Sequence, residues 1–181
     1  PIIGDMTDPD TDKACTLIKE KTITLCLNGY TLSTAKERVF KGIGQNSVLN
    51  ICDCSYDGQS FGGTIIGGTY EYTATTSSTP QGGTAVASTA TINMYGGTMH
   101  GNTVDGGSAN DKSGTGGAVC LWNGGVMNMY GGTIIGGNAH MGAAVYVGSS
   151  SSVFNMYGGT ITGGNAVKRT KVNGTTAPGR G

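Results

Sequence analysis

Charge is scarce in this chain, and so are histidine and proline. Only 12% of the residues are charged, and the 11 basic side chains balance the 11 acidic ones. Such a balance carries no basic footprint for nucleic acid. From Ser113 to Val167 there is not one Asp, Glu, Lys or Arg. That stretch stays in water through Asn, Ser, Thr, Tyr and backbone alone. Glycine reaches 34 of 181 residues, yet the 4 prolines exclude a collagen helix. No window approaches the roughly 18 consecutive apolar residues of a membrane span. No signal-peptide pattern follows Pro1, and the chain reads as a piece of a longer protein.

What remains is abundant Gly, Thr, Ser and Asn with regular apolar positions, in a length suited to one domain. The regularity is an internal repeat. Thr91-Ile-Asn-Met-Tyr-Gly-Gly-Thr-Met99 returns as Val126-Met-Asn-Met-Tyr-Gly-Gly-Thr-Ile134, and again as Val153-Phe-Asn-Met-Tyr-Gly-Gly-Thr-Ile161. Its asparagines, Asn93, Asn128 and Asn155, are 35 and then 27 residues apart. A degraded copy, Phe61-Gly-Gly-Thr-Ile-Ile-Gly-Gly68, matches Tyr130 to Gly137, and Ile23–Leu27 and Val48–Cys52 have the same strand character.

The apolar residues alternate instead of recurring at helical spacing, and Gly pairs interrupt every segment. This pattern predicts an all-β, right-handed parallel β-helix of about five coils, with three short strands per coil. Like side chains then stack on like. Met94, Met129 and Met156 form one inward ladder, and Ile92, Met127 and Phe154 another. Outward, Asn93, Asn128 and Asn155 line up beside Tyr95, Tyr130 and Tyr157. Glu71–Ser88 and Thr103–Gly117 read as two loops inserted at one edge. The division is a lead-in or cap over 1–21, with Leu17 and Ile18 folding over the first coil. The β-helix follows over 22–166, and a linker or frayed tail over 167–181. Without a C-terminal cap, the last coil is expected to fray or to pair with another chain.

The five cysteines, Cys15, Cys26, Cys52, Cys54 and Cys120, are odd in number. Free thiols, one disulfide and a metal site are the alternatives. The Cys52-Asp-Cys54 spacing lacks the gap of a zinc knuckle, so free thiols are the favoured expectation, with no metal and no cofactor.

The chain resembles the Gly-rich β-helix repeats of large surface proteins of Gram-positive gut bacteria. Thr22-Ile-Thr-Leu-Cys-Leu-Asn-Gly-Tyr-Thr-Leu32 is similar to their opening rung, and Asn155-Met-Tyr-Gly-Gly-Thr-Ile-Thr-Gly-Gly-Asn165 to their common coil. The resemblance implies a secreted or cell-surface module of a multidomain adhesin, whose partners are host glycan or a host protein such as immunoglobulin.

Chemistry has little to work with. Glycoside hydrolysis needs two converging carboxylates. After Asp57 only Glu71, Asp105 and Asp111 remain, and the last two share one Gly-rich loop. His100 and His140 fall in different ladders and read as surface histidines, and Ser149–Ser152 as a flexible corner. The expectation is therefore a non-enzymatic binding module. Its candidate surface is Tyr95, Tyr130 and Tyr157 with Asn93, Asn128 and Asn155, and Asp105, Asn110 and Asp111 are loop candidates. The three tyrosines would offer ring faces to sugar CH groups and the amides would offer hydrogen bonds. Stacked Tyr and Asn also stabilise a solenoid by themselves, so a purely structural ladder fits the same residues. A spacer without ligand, a carbohydrate-active β-helix enzyme and an ice-binding Thr face are the alternative readings.

Overall fold

The computed structural model describes residues 6–8, 20–35, 38–43, 46–60, 62–72, 85–102, 104–106, 115–170 and 176–180. Strands alone make up its regular structure; no helix occurs among the described residues. The chain is a parallel β-helix. A short β1 (Met6–Asp8) precedes the coils. The first coil holds β2 (Thr22–Cys26), β3 (Thr31–Thr34) and β4 (Phe40–Ile43). The second holds β5 (Val48–Cys52), β6 (Thr64–Ile66), β7 (Tyr70–Tyr72) and β8 (Ala85–Ser88). The third holds β9 (Thr91–Met94), β10 (Thr98–His100), β11 (Val104–Gly106) and β12 (Val119–Trp122). The fourth holds β13 (Val126–Met129), β14 (Thr133–Ala139) and β15 (Val145–Val147). The last coil holds β16 (Val153–Met156) and β17 (Thr160–Ala166), and β18 (Arg169–Thr170) and β19 (Thr176–Ala177) follow.

Three parallel sheets run along the solenoid, in the orders β2-β5-β9-β13-β16, β1-β3-β6-β10-β14-β17 and β4-β8-β12-β15. The register is the one the repeat dictates. Asn93 pairs with Asn128 and Asn128 with Asn155, while Met94, Met129 and Met156 share the next position. A slip by one residue would turn every inward methionine to solvent. Inside, Leu27, Leu49, Ile51, Ile65, Ile92, Met94, Met99, Met127, Met129 and Ile134 are completely buried in one cluster.

The Tyr-Gly-Gly-Thr corner explains its glycines. Gly97, Gly132 and Gly159 all take positive φ, +83°, +84° and +87°. A Cβ on Gly132 would stand 2.5 Å from the carbonyl oxygen of Gly97, and one on Gly159 2.6 Å from that of Gly132. Handedness of the turn and closeness of the neighbouring coil both demand glycine there.

The two expected insertions are only partly loops. Ala85–Ser88, assigned to the first of them, belongs to the third sheet and pairs with β4 and β12. The insertions also begin with a two-stranded parallel ladder, in which Tyr70 pairs with Val104 and Glu71 with Asp105. Cys26 and Cys54 form a disulfide, which replaces the expectation of free thiols throughout; Cys52 and Cys120 are free. Leu17 and Ile18 lie outside the described residues. Beyond Ala166, β18 and β19 pair antiparallel, and the chain returns to the fourth coil. There Arg180 N–H donates to the His140 carbonyl and its own carbonyl accepts from Gly142.

Candidate functional site

The outer face of the first sheet is built from three ladders two residues apart. Its rows read Thr22-Thr24-Cys26, Val48-Asn50-Cys52, Thr91-Asn93-Tyr95, Val126-Asn128-Tyr130 and Val153-Asn155-Tyr157. Extending the β5–β9 register by one residue sets Cys52 beside Tyr95. The N–H of Tyr95 donates to the Ile51 carbonyl, as that register requires. One outward column therefore runs Cys26, Cys52, Tyr95, Tyr130, Tyr157.

The tyrosine rings stack on each other. Tyr95 and Tyr130 have centroids 5.0 Å apart and planes 8° from parallel; Tyr130 and Tyr157 have centroids 5.0 Å apart and planes 11° from parallel. They are 49%, 45% and 66% exposed. This geometry corrects one expectation. Neighbouring rings cover each other's faces, so the column does not offer three open faces. It presents ring edges and a row of phenol groups at the coil repeat, and its broadest free ring is Tyr157 at the open end.

The asparagines are half-buried and bonded to one another. Asn155 Nδ2 donates to Asn128 Oδ1, Asn128 Nδ2 to Asn93 Oδ1, and Asn93 Nδ2 to Asn50 Oδ1, each at 2.9 Å. Asn50 Nδ2 closes the row on Thr24 Oγ1 at 3.2 Å. A primary amide has two N–H donors and two acceptor lone pairs. Each ladder bond uses one donor of one amide and one lone pair of the next. The row is therefore first a clamp between coils and only then a set of ligand contacts.

Beside the tyrosine column, past the Gly-Gly corner, lies a groove of about 290 Å³ lined by Tyr56, Gln59, Ser60, Thr98, Gly132 and Thr133. Its far wall lies outside the repeated segments. That wall is a turn held by Asp57, whose Oδ1 accepts from the amides of Gln59 (2.9 Å) and Ser60 (2.8 Å). Those two bonds hold the Asp57 carboxyl below its ordinary value. The signal was available as Asp57-Gly58, a turn dipeptide next to an aromatic residue.

Asp53 braces the same loop from beneath. It is buried; Oδ2 accepts from Gly63 N at 2.6 Å, and Oδ1 from Gly29 N (2.8 Å), Ser55 Oγ (2.9 Å) and Ser55 N (3.2 Å). One carboxylate thus ties the corners of two coils to the turn.

Asp105 lies in β11, in register with Glu71 of β7, and Asn110 and Asp111 fall outside the described residues. Asp105 has its register neighbour in Glu71, a carboxylate that reading the chain in order did not pair with it. His100 is half-buried beside the Gly101 carbonyl, 2.8 Å from Nδ1. His140 is buried, not superficial, because the returning tail and Val167 cover it.

No protein-family model matches the chain, and neither a curated protein nor a solved structure is detectably similar to it.

Proposed function

We propose that the chain is a non-enzymatic binding module of a secreted or cell-surface bacterial repeat protein, and that it holds an extended glycan along its tyrosine column. The observation that carries this reading is the spacing. Three exposed tyrosine rings stack with successive centroids 5.0 Å apart in an uncharged row. That interval is close to the rise of one sugar along an extended β-linked chain. Successive sugars would meet successive hydroxyls, with asparagine amides on one side and the Tyr56–Thr133 groove on the other. Tyr157 would stack its free face on the terminal sugar. The resemblance to adhesin repeats fits this reading, and so does the Cys26–Cys54 disulfide, since such bonds persist in oxidising compartments. A host protein such as immunoglobulin is the other partner class the resemblance implies.

A second reading has its own support: interlocked amides and self-stacked rings are what a ligand-free spacer would need. Two variants separate the readings. Tyr130→Phe with Tyr157→Phe keeps the stack and removes hydroxyls; glycan affinity should fall about 3- to 10-fold for each hydrogen bond lost. Tyr130→Ala with Tyr157→Ala should abolish binding on a glycan array. If the alanine pair keeps wild-type binding while circular dichroism reports an intact fold, the column is only a spacer.

A further inference from the structure

The lower end of the outward column holds a feature the binding reading leaves unused. Cys26 and Cys52 face each other across β2 and β5, and Cys54 lies two residues beyond Cys52. The three sulfur atoms all lie within 4.8 Å of one another. In sequence order, Cys52 and Cys54 alone are no metal knuckle; the solenoid supplies the third ligand from the previous coil. We propose that Cys26, Cys52 and Cys54, once reduced, form a three-thiolate site for a single thiophilic closed-shell cation, with copper(I) the best fit.

Geometry supports the donor set. Metal–thiolate bonds of about 2.3 Å place sulfurs roughly 4 Å apart around one ion. The three sulfurs fall within 4.8 Å of one another, so one ion can reach all three once the Cys26–Cys54 bond is reduced. Soft thiolates select copper(I) and zinc from the biological cations. Zinc wants a fourth ligand. The adjacent carboxylate, Asp53, already has both oxygens engaged by Gly29, Ser55 and Gly63. Copper(I) is satisfied by three sulfurs, and zinc would have to add water. Exposed Cys54 gives the ion an entry, while buried Cys26 and half-buried Cys52 shield it.

The site and the disulfide exclude each other. With a water-soluble phosphine, the Cys26–Cys54 S–S bond breaks and the phosphine is oxidised to its oxide. Water supplies that oxygen and the two protons of the new thiols. The cation then displaces the three thiol protons into the buffer. Exchange with a small-molecule disulfide such as oxidised glutathione, which leaves as two thiols taking two protons from the buffer, re-forms the Cys26–Cys54 bond, removes two of the three ligands and releases the ion.

The test uses the full 181-residue chain. Copper(I), delivered against a chromophoric chelator, should bind the phosphine-reduced protein at one equivalent with an ultraviolet thiolate-to-metal band. It should not bind the disulfide form. Cys52→Ser, which leaves the disulfide pair intact, should weaken binding at least about tenfold. Cys120→Ser, in the third sheet, should leave it unchanged. Zinc uptake with the same cysteine dependence would support the three-sulfur site and name zinc as its ion. Circular dichroism follows the fold throughout: a reduced chain that unfolds and regains its β signal on adding metal supports the site. The proposal is overturned if reduced protein takes up neither ion at one equivalent, if metal fails to restore an unfolded reduced chain, if the disulfide form binds equally, or if Cys52→Ser binds as tightly as the parent.

Discussion

Asp53 shows how much one side chain can hold. Burial, the largest single influence on it, pushes its carboxyl upward, but the bonds from Gly63, the Ser55 hydroxyl, Gly29 and the Ser55 amide together prevail and hold it below the ordinary 3.8. A folded value under the unfolded one means that the ionised group stabilises the fold fully above the unfolded value. That stabilisation drains away as pH falls through the folded value. Asp53→Asn should therefore cost on the order of 2 kcal/mol in urea titrations at neutral pH and flatten the acid limb of the stability curve below about pH 4. A variant with an unchanged acid limb would show that the clasp does not depend on charge. Cys120 makes the opposite case. Burial pushes its thiol up to about 11, with Thr115 Oγ1 3.9 Å away. Thiol alkylation at neutral pH should label Cys52 and spare Cys120 until the chain is denatured, as peptide mapping would read directly.

Among the elements, the ladders carry the stability and they are graded. Met129 is completely buried between Met94 and Met156, whereas Met156 is 49% exposed because no coil covers it. Met129→Ala should cost about 2–5 kcal/mol, and Met156→Ala well under half of that, in chemical denaturation. Equal costs would mean that the last coil is covered in solution. The ladders were also the part most legible in the sequence. Three near-identical nine-residue segments fix both the strand positions and the inward set, because a period of two leaves a strand no other face to bury. The Gly-Gly corner was legible for the same reason. What the repeat could not disclose is how the tyrosine rings turn. Outward direction follows from alternation, but rotation about the side-chain bonds follows from the coil spacing, and that rotation converts three faces into one edge. Cys54 sits outside the period, in a turn, so nothing in the spacing pointed it back to Cys26.

At the scale of the whole molecule the two ends differ. Coils two to four are sandwiched, while Val153, Met156, Tyr157 and Ile161 of the last coil are exposed together. Local opening should start there. In native-state hydrogen exchange the amides of β16 and β17 are expected to exchange before those of β9 and β13, with protection rising inward along the axis. Uniform protection across the five coils would indicate one cooperative unit. The returning tail was invisible to sequence reading, since Lys168 to Gly181 carries no apolar alternation; its hold on the fourth coil comes from backbone bonds at Arg180, which leave no trace in side-chain identity.

The asparagine row has a direction. Every amide in it gives its proton toward the first coil, and a second, shorter row repeats the sense, Asn165 to Asn138. Such a column is a one-way street for hydrogen-bond polarity, and it comes to its outer end at the carbonyl oxygen of Asn155. Anything that extends the solenoid there, whether a neighbouring segment of a parent chain or another molecule, has to arrive bearing a donor at that position. An aspartate in its place would set two oxygens against each other, so the end of the row selects the polarity of whatever continues it.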